Sequence, residues 1–167
     1  IFDASGKHVY PGFIATDSRL GLVEIDAVRA TADHTEAGRL NPNARAIVAY
    51  NTDSDVIPTV RSNGVLMAQV VPAGGGVSGT SAIVQLDAWN WEDAAVRADE
   101  GVHLNWPSRQ PRRRFGPPGA APEQSGANEY DKQVEELPRF FGEARAYSQK
   151  AAPEAQNPRF EAMRGLF

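Results

Sequence analysis

The near-continuous apolar run at residues 65–71 constrains the fold of this chain more than any other feature of its 167 residues. A strand that is apolar at consecutive positions has both faces covered, a pattern typical of parallel sheets. Asn63-Gly64 precede the run and predict the end of a helix, because both residues tolerate the left-handed conformation that closes helices. That helix is predicted to begin at Asp53 or Ser54 and to run to Ser62. A helix followed by a strand of this kind indicates an α/β fold.

The rest of the chain divides into short apolar runs separated by glycine, proline and asparagine. The predicted elements are a strand at 9–14, a helix at 22–31, a strand-like run at 45–50 that is short enough to be helix or coil, a glycine-rich loop at 73–79, a strand at 81–87, a capped helix start at Asn90, a strand at 101–105, a long amphipathic helix at 128–150 and a second short helix from Asn157-Pro158. Of these elements, the long helix has the clearest sequence pattern, since its apolar residues recur at spacings of three and four.

Composition excludes several classes of protein. Hydrophobic residues make up 41% of the chain and charged residues 23%, which are values of a globular domain. The net charge of −4 argues against a nucleic-acid partner. No apolar run approaches the roughly 20 residues that span a bilayer, and no signal segment opens the chain. The absence of cysteine leaves the redox compartment open, so the cellular location is not predicted. Because the chain opens at Ile1, we expect an internal cut from a longer parent or a processed terminus.

Residues 11–20 read Pro-Gly-Phe-Ile-Ala-Thr-Asp-Ser-Arg-Leu. This segment resembles the first-strand motif of the amidohydrolase superfamily, Pro-Gly-Phe-Ile-Asp-x-His-x-His-Leu, in which the two histidines hold the catalytic metal. Asp17 and Arg19 stand at the two histidine positions here. The chain therefore carries the frame of the motif without its metal-binding pair.

The resemblance extends over roughly residues 7–106. Residues 60–65 and 70–72 are similar to the second strand of the family and the helix before it. Residues 76–86, 89–93 and 102–105 are similar to an insertion of the imidazolonepropionase-related branch, and the helix after 128 corresponds to the second barrel helix.

The resemblance implies a partial β/α-barrel-like arrangement of mostly parallel strands with flanking helices. It is incomplete as a closed barrel, which typically needs about 250 residues. We expect a strand-rich α/β part at 1–106, a Pro/Gly/Arg-rich loop at 107–127 and a helical part of the same domain at 128–167. The implied function is a fragment of a metal-dependent hydrolase that acts on C–N bonds of cyclic amides or related substrates, inactive in isolation. The alternative is a non-catalytic binding or assembly domain derived from the barrel scaffold.

The family implies a divalent metal such as zinc, but we expect none for this chain alone, and no catalytic residue is assigned. Asp17 is a weak candidate ligand, since carboxylates bind zinc and manganese. Arg19 offers no lone pair to a metal and is expected to pair with Asp17 at a polar strand end, and it is also a candidate ligand or loop residue. His8, His34 and His103 are far apart in sequence, and surface or hydrogen-bonded positions are expected for all three.

Residues 74–79, Gly-Gly-Gly-Val-Ser-Gly, fit a dinucleotide-binding pattern, which makes Gly75, Gly76 and Ser78 candidate ligand or loop residues. That pattern requires a helix immediately after it, whereas the following residues favour a strand. A turn between two strands is therefore the preferred interpretation.

Two further expectations concern surfaces. Residues 107–126, with the basic run at 112–114, are predicted to be mobile, because few apolar residues offset the entropy of ordering them. A partial barrel leaves an open strand edge, which the remainder of the parent chain or a second copy of the chain is expected to cover. Neither a nucleic acid nor a membrane is expected as a partner.

Overall fold

A computed structural model describes residues 1–109, 127–150 and 156–167. The strands are β1 (Phe13–Ser18), β2 (Val65–Val70), β3 (Val77–Gln85) and β4 (Ala95–Leu104), and the α-helices are α1 (Val56–Ser62), α2 (Trp91–Ala94), α3 (Ala127–Ser148) and α4 (Pro158–Glu161). Short 3₁₀ helices lie at Arg29–Thr31, Ala46–Ala49 and Arg164–Leu166. The alternation of strands and helices confirms the predicted α/β class.

The strands form one open sheet in the order β1-β2-β3-β4. β1 pairs with β2 in parallel, whereas β2–β3 and β3–β4 are antiparallel. The prediction of mostly parallel strands is therefore not confirmed. Residues 71–76 are too few for the crossover of about a dozen residues that joins parallel neighbours, so β3 has to return antiparallel to β2. β1, β2 and β4 nevertheless point in one direction, and their carboxyl ends lie at the same edge of the sheet.

The β2 strand is less covered than its sequence predicts. Ala68 and Val70 are buried, but Leu66 is exposed. Because side chains alternate along a strand, Leu66 is on the same face as Ala68 and Val70. It lies at the start of β2, beside Gly12, and is not part of the core that α1 and the 3₁₀ helix Ala46–Ala49 cover. The prediction that both faces of residues 65–71 are buried is therefore wrong over the described residues. The strand itself and the helix before it are confirmed, and α1 ends where Gly64 adopts a φ of 86°.

The helix predicted at residues 22–31 is not formed. Instead, Val23 bridges Ala32, and the backbone N–H of Glu24 donates to the carbonyl of Thr31 at 3.1 Å. The Thr31 hydroxyl donates to the carbonyl of Ile25 at 3.0 Å and closes the loop from within. The helical spacing of Leu22, Ile25 and Val28 does not correspond to one buried face, because Leu22 is buried whereas Ile25 and Val28 are exposed.

Other boundaries move in ways that local contacts explain. The strand predicted at 9–14 begins later, at Phe13, where pairing with β2 starts. The 45–50 run forms the 3₁₀ helix Ala46–Ala49, and the strand predicted at 101–105 is the end of the longer β4. The helix start at Asn90 is confirmed, because its side chain accepts a hydrogen bond from the Asp93 N–H.

The two helices of the C-terminal part are confirmed. α3 buries Leu137, Phe140, Ala144 and Tyr147 along one stripe, and Phe141 packs partly buried beside it. α4 begins at Pro158 after Asn157, whose side-chain oxygen accepts from the Arg159 N–H at 3.1 Å.

Over the residues that the structure describes, the core consists of two clusters. The first lies between the sheet, α1, α2 and the 3₁₀ helix Ala46–Ala49; its largest buried members are Leu22, Ile47, Tyr50, Ile57, Val70, Val84 and Leu86. The second joins α3 and the C-terminal segment to the sheet through Leu40, Val77, Leu137, Phe140, Ala144 and Met163.

Residues 110–126 lie outside the described residues. Most of the predicted loop at 107–127 falls in that range. The same holds for most of the segment 107–126 that is predicted to be mobile, including its basic run at 112–114. Within the described part of the chain, no helix has the length and apolar character that a bilayer crossing requires.

Candidate functional site at the strand ends

A polar groove of about 260 Å³ lies at the carboxyl ends of β1, β2 and β4. Asp17 and Arg19 contribute from the end of β1, and His103 and Asn105 from the end of β4. Val71, Pro72 and Ala73, which follow β2, form its floor. Ligands of α/β sheets bind outside the carboxyl ends of the strands, so this edge is the expected place for a functional site.

Asp17 takes an unusual backbone conformation within this groove. Its φ is 52°, a left-handed value that is uncommon for residues other than glycine, although aspartate and asparagine adopt it more readily than most. The Asp17 N–H donates to Oε1 of Gln69 at 3.3 Å. Nε2 of Gln69 in turn donates to Glu100 Oε2 at 3.0 Å, so a chain of amide and carboxylate groups fixes the turn at the end of β1.

Arg19 lines the same groove as Asp17 but does not pair with it. No ion pair joins the two residues, and the Arg19 guanidinium makes no hydrogen bond or ion pair within residues 1–109, 127–150 and 156–167. The prediction of an Asp17–Arg19 pair is therefore wrong for the described structure. The left-handed turn at Asp17 breaks the regular alternation along β1 on which that prediction depended. Arg19 is left with a cationic group that is available to a ligand.

His34 lies close enough to Arg19 to respond to its charge. Burial lowers the pKa of His34, and the positive charge of Arg19 lowers it further, while Asp26 opposes the shift. The imidazole is therefore neutral at neutral pH. Its buried Nδ1 has no hydrogen-bond partner among the described residues, although its carbonyl accepts from the Ala73 N–H of the groove at 2.7 Å.

The groove does not fit a divalent metal. Among the described residues, no three His, Cys, Asp or Glu side chains are grouped as metal ligands. Catalytic zinc sites use three protein ligands, and a guanidinium that lines the groove repels a cation. Asp17 is thus one potential ligand beside a fixed positive charge.

The glycine-rich loop is structural. Residues 71–76 connect β2 to β3, which confirms the turn between two strands. Gly75 has a φ of 61°, and a Cβ at that position would lie 2.7 Å from the carbonyl oxygen of Arg39. Gly76 donates its N–H to the same oxygen at 2.6 Å.

Ser78 and Asn105 hold this loop from the other side. The Ser78 hydroxyl donates to the Gly74 carbonyl at 2.7 Å, and the Asn105 amide donates to Ser78 Oγ at 2.6 Å. Gly75, Gly76 and Ser78 therefore shape the wall beside the groove, and none of them lines it.

The sequence assigns neither His103 nor Asn105 to a site, although both line the groove. His103 had been expected at a surface or hydrogen-bonded position because no second histidine lies near it in sequence. The signal that could have found both is their place at the end of a predicted strand, since polar residues at strand ends often face a site. Their meeting with Arg19 required the order of the strands.

A comparison of structures finds the same fold in a larger protein. The crystal structure of an amidohydrolase from Thermotoga maritima MSB8 superimposes with a TM-score of 0.72 over 92% of this chain, at 18% sequence identity. This chain spans 41% of the length of that protein. At this identity the likeness concerns the fold. No family model and no curated protein matches the chain.

Proposed function

We propose that this chain belongs to the amidohydrolase superfamily, in its imidazolonepropionase-related branch, and forms part of a hydrolase acting on C–N bonds of cyclic amides. In this proposal the strand-end groove binds the anionic group of the substrate through Arg19. Where the full hydrolase uses a divalent metal such as zinc, residues outside this groove hold it. The shared fold and the motif at residues 11–20 support the superfamily; the similar segments between 76 and 105 support the branch.

The observation that carries the proposal is the guanidinium of Arg19 in a polar groove without a partner among the described residues. Arginine suits a carboxylate, to which it can donate two parallel hydrogen bonds. His103 can donate to or accept from the amide of the same ligand, and Asp17 can accept from its N–H. The groove therefore matches a small cyclic amide that carries a carboxylate.

We expect pyroglutamate, a cyclic amide with a carboxylate, to bind the wild-type chain, and Arg19→Ala to weaken that binding by roughly tenfold or more, because hydrogen bonds to a charged group contribute about 1.5–3 kcal/mol. Isothermal titration calorimetry measures both. 2-Pyrrolidone, the same ring without the carboxylate, should bind both proteins equally. Arg139→Ala is the matched control, since this exposed arginine pairs with Glu143 on α3.

The same samples test the chemistry. After growth with added zinc, we expect elemental analysis to find no stoichiometric metal and an amino-acid assay to find no glutamate released from pyroglutamate. A stoichiometric metal that is lost in Asp17→Ala would contradict the cation-repelling groove. Failure of pyroglutamate to bind, or an equal loss in Arg139→Ala, would contradict the role of Arg19.

The lack of a metal-binding pair also favours the second candidate, a non-catalytic binding domain. Arg19 stands where the family motif has a metal-binding histidine. In this candidate the groove therefore binds an anion in place of the metal. The two candidates differ in turnover: the hydrolase proposal requires cleavage of the cyclic amide once the chain is joined by the rest of its hydrolase, and the binding-domain proposal requires affinity alone.

We further propose that another copy of the chain, or the remainder of a longer parent, covers the open edge of the sheet at β1; neither a nucleic acid nor a membrane is proposed as a partner. Phe13, Ile14 and Leu66 are 69%, 57% and 54% exposed on β1 and β2, and β1 is an edge strand. Such an edge invites pairing with another strand. Light scattering at several concentrations should therefore show self-association that Ile14→Lys reduces. A monomer at every concentration would contradict a second copy.

A further inference from the structure

A second groove, of about 460 Å³, lies between the bulged part of β4, the segment before the 3₁₀ helix Ala46–Ala49, and α4. It shares no lining residue with the strand-end groove. Its polar side chains include Arg45, Thr80, Asp99 and Glu161. Pro42, Pro158 and Ala162 supply apolar wall. Its volume lies in the range of about 300–1,000 Å³ that is usual for small-molecule sites.

Arg45 and Asp99 form an ion pair that leaves part of each group free. Nε of Arg45 donates to Oδ1 of Asp99 at 2.8 Å, and the Thr80 hydroxyl donates to the same oxygen at 3.1 Å. The terminal guanidinium nitrogens of Arg45 and Oδ2 of Asp99 take no part in these two hydrogen bonds, and the two side chains are 42% and 43% exposed. The groove therefore presents one fixed donor group and one fixed acceptor group side by side.

The two groups are held in position by the sheet. The register of β3 and β4 shifts between Ser81 and Ile83, so β4 bulges there, and Asp99 takes a φ of 52° within the bulge. Bulges re-aim side chains and are frequent beside functional sites. The hydrogen bonds from Arg45 and Thr80 lower the pKa of the Asp99 carboxyl, so the group is charged at neutral pH.

The charges define the class of ligand. The free guanidinium nitrogens suit a carboxylate, whereas the free oxygen of Asp99 suits an ammonium group. Glu161 adds a second negative charge at the rim, although one of its oxygens is bound by Arg164. A free α-amino acid carries a carboxylate and an ammonium one carbon apart, and the proline and alanine walls suit an apolar side chain.

We propose that this groove binds a free α-amino acid with an apolar side chain, its carboxylate on Arg45 and its ammonium on Asp99. A purely structural ion pair would need no more than the bond between Nε and Oδ1. The proposed ligand contacts instead the terminal guanidinium nitrogens of Arg45 and Oδ2 of Asp99, which this bond does not use.

Isothermal titration calorimetry with the full chain tests the proposal with three probes. L-Leucine should bind, and both N-acetyl-L-leucine, which lacks the ammonium, and L-leucinamide, which lacks the carboxylate, should bind at least about tenfold more weakly, as expected for loss of a hydrogen bond to a charged group. Arg45→Gln should weaken L-leucine but leave L-leucinamide unchanged. Asp99→Asn should weaken L-leucine but leave N-acetyl-L-leucine unchanged, and asparagine tolerates the positive φ at that position.

Arg61→Gln is the matched control, because Arg61 forms an exposed ion pair with Asp87 at 2.9 Å away from this groove. It should leave all three affinities unchanged. Thermal unfolding verifies that each variant is folded, and the comparison of the three probes on the wild-type chain decides the matter even if a variant is not. The proposal is overturned if L-leucine does not bind, if N-acetyl-L-leucine binds equally well, or if Arg61→Gln causes the same loss.

Discussion

Replacing Gly79 by alanine is expected to lower the free energy of unfolding by roughly 2–6 kcal/mol, the sum of about 1–3 for a strained backbone and about 1–3 for overpacking. Gly79 has a φ of 136°, and a Cβ there would overlap the carbonyl oxygen of Ala44. That oxygen cannot move away cheaply, since it accepts the N–H of Thr80 at 2.7 Å. The close approach joins β3 to the segment that carries Arg45.

Urea denaturation followed by circular dichroism measures the change. Gly142→Ala is the control of opposite sign, because Gly142 lies within α3 and no atom lies within 4 Å of a Cβ at that position. It should raise the free energy of unfolding by about 0.5–1 kcal/mol, the usual gain of alanine over glycine in a helix. If Gly79→Ala unfolds at the wild-type urea concentration, the approach of Ala44 to β3 is not as close as described.

Met163→Ala is expected to destabilise the chain by about 2–5 kcal/mol, as large-to-small substitutions in a core do. The side chain is fully buried and packs with Leu40, Val77 and Phe140. No other residue of the described C-terminal segment 156–167 is buried to the same degree. The substitution therefore removes the buried side chain by which the segment after α4 packs against α3 and the sheet, and it leaves the contact of the Phe160 ring with Phe140 in place.

Leu166→Ala is the matched control, since Leu166 lies three residues away and is 48% exposed. A surface change of this kind usually stays within about 0.5 kcal/mol. α4 forms one wall of the groove that Arg45 and Asp99 line. Met163→Ala should therefore also weaken L-leucine binding in the fraction that remains folded. Equal unfolding midpoints for the two variants would show that the segment is not anchored at Met163.

The sequence was a good guide where local chemistry decides the outcome. The end of α1 follows from Asn63-Gly64, the start of α4 from Asn157-Pro158, and the start of α2 from Asn90, because capping depends on neighbouring residues alone. α3 follows from its apolar spacing. The same reasoning failed at residues 22–31, where the Thr31 hydroxyl closes a loop instead.

The sequence predicted the direction of the strands only in part. The apolar run at 65–71 indicated a parallel sheet, and the parallel pairing of β1 with β2 bears this out in part. The six residues from 71 to 76 already ruled out a parallel β2–β3 pair, because connection length limits topology. The antiparallel direction of β3 could therefore be predicted from the length of the β2–β3 loop but not from the hydrophobicity of the strands.

The sequence by itself determined the end of α1, the starts of α2 and α4, the helix α3, the turn at the glycine-rich loop and the replacement of the family's histidine pair by Asp17 and Arg19. Only the tertiary structure decided that Arg19 meets His103 in one groove, and that Arg45 meets Asp99 in another. The physical reason is distance along the chain: caps and turns depend on residues a few positions apart, whereas each groove joins side chains more than fifty residues apart. Their meeting depends on strand order, on a bulge in β4 and on two aspartates in left-handed conformations, which no local pattern encodes.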